Sequence, residues 1–95
     1  MARLYWARND GMSGHAWLSD GEIEALAREM LVQAMGTDFP VEKFGRGERM
    51  HISTTEIERT LADASPEPIE ADQKLWRDWL AFLEGAASNG GLLVR

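Results

Sequence analysis

With 95 residues, 44% of them apolar and 27% charged, the chain has the size and composition of one folded unit, and residues 1–95 read as a single globular domain. Cysteine is absent from the sequence, which excludes disulfides, thiolate metal sites and a cysteine nucleophile and fits a cytoplasmic setting. The net charge of −6 repels phosphate backbones and anionic lipid, no apolar run is long enough to span a bilayer, and the first residues lack the apolar core of a secretion signal, so neither nucleic acid nor membrane is expected as a partner.

Residues 2–7 are rich in strand-favouring side chains, and alternation puts Leu4 and Trp6 on one face with Arg3 and Tyr5 on the other. Asn9-Asp10-Gly11 and Ser13-Gly14 form a breaker-rich stretch, since Asn, Asp and Gly tolerate left-handed backbone, which predicts a loop carrying His15 and Trp17. Ser19 followed by Glu22 forms a capping-box pattern. Ile23, Leu26, Ala27, Met30, Leu31 and Ala34 then recur at helical spacing, so a first helix starts there and ends at Gly36.

Residues 37–48 carry Pro40, Gly45 and Gly47 among Phe39, Val41 and Phe44, the pattern of an irregular connection pinned to the core by its apolar side chains. Arg49 to Ile52 alternates as a strand, and Ser53 with Glu56 repeats the capping box before a short helix whose Ile57, Leu61 and Ala64 point inward. Pro66 and Pro68 stop it. A third helix, from about Glu70 to Ser88, is apolar over more than half its circumference; Asn89, Gly90 and Gly91 end it, and Leu92 to Val94 make a final strand beside the first. The expected fold is α+β, in the order β-α-β-α-α-β, with a small three-stranded sheet packed against three helices.

No metal-ligand spacing, Walker motif or dinucleotide fingerprint is present, and no cofactor is expected. His15 and His51 are the only side chains that ordinarily titrate near neutrality, and neither sits in a catalytic motif. Lys43, Arg46 and Arg49 cluster around two glycines and could cradle an anion. Trp76 and Trp79 share a helical face and belong to the core, whereas Trp6 and Trp17 are surplus aromatics that could anchor a partner.

These features favour a small acidic protein-protein interaction module, of the antitoxin, immunity, phage-regulator or adaptor type, over an enzyme. An aromatic anchor in an acidic surround suits a basic protein partner. The alternatives are a small enzyme or anion-binding domain joining the His15 loop to the Lys43 to Arg49 loop, and a homo-oligomeric subunit using the wide apolar face of the third helix.

Overall fold

The computed structural model describes residues 2–8 and 14–95. Its strands are β1 (Ala2–Trp6), β2 (His15–Leu18), β3 (Met50–Ile52) and β4 (Leu92–Val94). Its helices are α1 (Asp20–Val32), α2 (Val41–Gly45), α3 (Thr54–Ala62) and α4 (Gln73–Ser88), with a 3-10 turn at Met35–Thr37. The fold is α+β, as expected, and the strands form one antiparallel sheet in the order β2-β1-β4-β3. β4 pairs with β1, placing the final strand where the sequence predicts it.

Among the described residues the sheet has four strands rather than three, and there are four helices rather than three. His15 to Leu18 is strand, not loop, and residues 9–13 of that expected loop lie outside the described residues. Four residues between glycine and a helix cap are too few for period-two alternation to stand out, and β2 forms because β1 offers it a pairing edge. α2 is a single turn that propensity alone would not hold; Val41 and Phe44, three apart, are both buried, and Phe44 stacks on Trp79 at a centroid distance of 5.0 Å.

Helix boundaries follow local hydrogen bonding. Both capping boxes form, at Ser19 with Glu22 and at Ser53 with Glu56. α1 stops at Val32, short of Gly36, because Ala34 takes the left-handed conformation at φ 61°. α4 starts at Gln73, with the Asp72 carboxylate accepting from the Leu75 N–H at 3.0 Å.

The residues just before α4 are held by Glu29, a fully buried carboxylate on α1. One Glu29 oxygen accepts from the Glu70 and Ala71 N–H groups at 2.6 and 2.7 Å, and the other from Ile69 N–H and the Gln33 amide, both at 2.8 Å. Gln33 in turn accepts from Ser65 N–H at 2.7 Å. Burial alone would raise the Glu29 pKa, but the four donors outweigh it and hold the carboxyl below its ordinary value. Glu29 is therefore a buried anchor for the segment joining α3 to α4.

Ala2, Leu4, Leu18, Ile52, Leu92 and Val94 line the inner face of the sheet and pack with Ile23, Leu26, Met30, Ile57, Trp76 and Leu83 of the helices. Among the described residues, the large apolar side chains left exposed are Trp17, Leu31, Val32 and Ile69, none of them on α4. On α4, Trp76, Trp79, Leu83 and Ala86 are buried, and Leu75, Leu80 and Phe82 are half-buried. No helix among the described residues is long and apolar enough to cross a membrane.

Candidate functional site on the open face of the sheet

Among the described residues no helix covers the second face of the sheet, where Trp17 and His51 are exposed. Alternation and register bring Arg3 opposite Trp17, and His15, Tyr5, Leu93 and His51 into one row across all four strands. Arg3 and Arg95 exchange backbone hydrogen bonds at 2.9 and 2.8 Å, so their side chains join this face as direct neighbours. A depression of about 380 Å³ opens there, lined by Arg3, Tyr5, His15, Leu93 and Arg95 together with Trp6 and Ala7.

The side chains form a layered cluster. The Arg3 guanidinium carbon lies 4.3 Å from the Tyr5 ring centroid and 5.3 Å from that of Trp17, while Arg95 approaches the Tyr5 ring at 5.6 Å. His15 meets Tyr5 edge-on at 4.7 Å, and its Nε2 lies 3.5 Å from the Arg3 guanidinium. Arg3 Nε is buried and has no acceptor among the described residues. Trp17 is 61% exposed at the β2 edge.

Charge is segregated between the layers. None of the described strands contains an aspartate or glutamate, so every described Asp or Glu side chain lies on a helix or connection, while two arginines and two histidines share the open sheet face. Among the described residues no carboxylate pairs with Arg3 or Arg95; the described ion pairs all lie in the helical half and its connections.

Of the residues singled out in the sequence, His15 and Trp17 meet on this face. Trp6 points the other way: its indole N–H donates to the Phe82 carbonyl at 3.0 Å and its ring packs on Phe82 at 5.6 Å. Lys43 lies on α2 and lines a different depression with Leu31, Phe39 and Pro40. Arg46 pairs with Glu48, and Arg49 is exposed just before β3. The His15 and Lys43 clusters thus line separate surfaces. Arg3, Tyr5 and Arg95 are the functional candidates that sequence reasoning missed; the outward placement of Arg3 and Tyr5 was legible, but the strands flanking them were not all recognised.

Among the described residues no group of three or more histidines and carboxylates converges as a metal site. No family model matches the chain, and neither the curated proteins nor the solved structures compared with it contain a match.

Proposed function

We propose that the protein acts by binding a protein partner rather than by catalysis, and that the open sheet face docks an acidic segment of that partner. The supporting observation is the opposition of Arg3 and Arg95. Like charges directly across an antiparallel pair are destabilising, and among the described residues no aspartate or glutamate side chain pairs with either. The shared Tyr5 ring provides partial compensation, and a carboxylate-bearing segment provides the remainder.

The whole-molecule charge of −6 suits a basic partner, but the immediate surroundings of the exposed tryptophan are cationic, and the contact surface decides the polarity of the ligand. A single-stranded nucleic acid fits less well. Base stacking needs successive free aromatic faces, whereas the Tyr5 ring is already engaged by two guanidiniums and one of them, that of Arg3, also lies over Trp17.

Titration of the labelled protein with a glutamate-rich peptide, followed by NMR, tests the proposal. The expected result is a shift of the Trp17 indole and the β1, β2 and β4 amides, with affinity falling about tenfold in Arg95→Glu. The same substitution replaces a repulsive pair by an attractive one, so it leaves the free protein's stability unchanged or raises it by up to about 1 kcal/mol. Tighter binding of a lysine-rich peptide or an oligothymidylate at this face would overturn the proposal.

A further inference from the structure

We infer that the partner's acidic segment joins the sheet as a further strand along β2, with one apolar side chain seated in the cavity behind that edge. The inference rests on the acidic docking proposed above and adds its mode of attachment.

β2 is an edge strand, paired with β1 alone. Its free backbone groups follow from the hydrogen bonds on the far side of β1. Arg3 and Arg95 exchange N–H to carbonyl bonds at 2.9 and 2.8 Å, so Arg3 directs both its backbone groups toward β4 and faces Trp17 as a pair without hydrogen bonds. The Trp17 N–H and carbonyl therefore point away from β1, as do those of His15 two residues earlier. Among the described residues no backbone partner meets any of these four groups. The edge also lacks the lysine, proline or bulge that commonly guards against pairing: β2 reads His-Ala-Trp-Leu and matches β1 in unbroken register.

A cavity of about 190 Å³ lies behind this edge. Among the described residues the sheet contributes only Ala16 and Leu18 to its wall and β1 contributes none, while α1 and α4 supply the rest, including Leu26, Leu75 and Phe82. On an added strand the residues opposite Trp17 and His15 project onto the open face, and the one between them, opposite Ala16, projects inward toward the cavity. Cavities of roughly 150 Å³ hold a benzene-sized group, so this one has room for a leucine side chain. The outward residues stand beside His15 and near Arg3, whose guanidinium lies 5.3 Å from the Trp17 ring centroid and has no carboxylate partner among the described residues. Acidic, apolar, acidic is the pattern that fits, with main-chain bonds supplying affinity and alternate side chains specificity. A second copy of the chain is a poorer match, because its β2 carries no carboxylate.

The probe is the acetylated and amidated peptide Thr-Thr-Glu-Leu-Glu-Thr-Thr, titrated into the labelled native protein and followed by NMR. Every pair in this sheet is antiparallel, and an antiparallel addition turns both glutamate N–H groups toward β2 and the leucine N–H away. N-methylation of either glutamate should weaken binding about tenfold, and N-methylation of the leucine should leave it unchanged. Serine in place of the leucine should also cost about tenfold. In the complex the His15 and Trp17 amides should exchange with solvent more slowly, whereas those of Ala16 and Leu18 are already protected in the free protein. Equal losses at the three N-methyl positions, unprotected His15 and Trp17 amides at saturation, or no penalty for serine would each overturn the inference. So would protection of these amides that rises with protein concentration without peptide, which would give the edge to a second copy. A peptide with glutamine for both glutamates separates the two proposals: equal affinity would remove the acidic docking and leave strand addition, whereas a preference for glutamate without the alternating N-methyl pattern would do the reverse. Binding of neither peptide would remove both.

Discussion

Glu29→Ala is expected to lower the unfolding free energy by roughly 3 to 5 kcal/mol, a large share of the stability of so small a protein. The substitution leaves the Ile69, Glu70 and Ala71 N–H groups and the Gln33 amide without their acceptor. Glu29→Gln retains the shape but turns one acceptor oxygen into a donor, so it should fall between the native protein and the alanine variant. The pH dependence has a defined sign. Because the folded carboxyl titrates below the ordinary value of 4.5, its contribution is fully present above that value and is lost as pH falls through the folded pKa. Urea unfolding at neutral and acidic pH should show the gap between native protein and Glu29→Gln closing on the acid side. A gap independent of pH, or a loss below about 1 kcal/mol for Glu29→Ala at neutral pH, would remove Glu29 from its anchoring role.

Gly85→Ala is expected to destabilise by about 2 kcal/mol, against the usual gain of about 1 kcal/mol for replacing glycine within a helix. A methyl group at Gly85 would overlap the Trp6 indole, which is fixed by its hydrogen bond to the Phe82 carbonyl. Overlap with a tethered ring outweighs helix propensity. When Trp6→Ala has already removed the ring, the same Gly85→Ala change should stabilise by about 0.5 to 1 kcal/mol. This reversal of sign is measurable as a double-mutant cycle in denaturant, and stabilisation by Gly85→Ala in the native background would show that the ring yields.

Features carried by a few neighbouring residues were legible in the sequence. Ser19 with Glu22 and Ser53 with Glu56 identify two helix starts from side-chain chemistry alone, and the helical spacing of Trp76, Trp79 and Leu83 identifies the buried face of α4. Elements made by tertiary contact were not. β2 depends on β1 for pairing, and α2 depends on burial of Val41 and Phe44. Glu29 reads in sequence as one more carboxylate on the solvated side of a helix, since nothing within α1 announces donors from residues 69–71. The candidate site was half visible for the same reason: alternation turned Arg3 and Tyr5 outward, but their neighbours Trp17, on β2, and Arg95, just after β4, are placed by a register that local pattern does not fix.

The strand order also constrains how the molecule is made. β1 and β4 are the central strands, so Leu4 must find Val94 across nearly the whole chain, and β3 reaches the sheet only through β4. Closing so long a loop is entropically unfavourable and slows folding relative to proteins built from local contacts. During synthesis the β1–β2 hairpin can form early, but the other edge of β1 stays unpaired until β4 emerges from the ribosome. Until then Leu4 lacks its β4 neighbour and an open strand edge is available to other chains, so the interval before β4 pairs is one of raised aggregation risk.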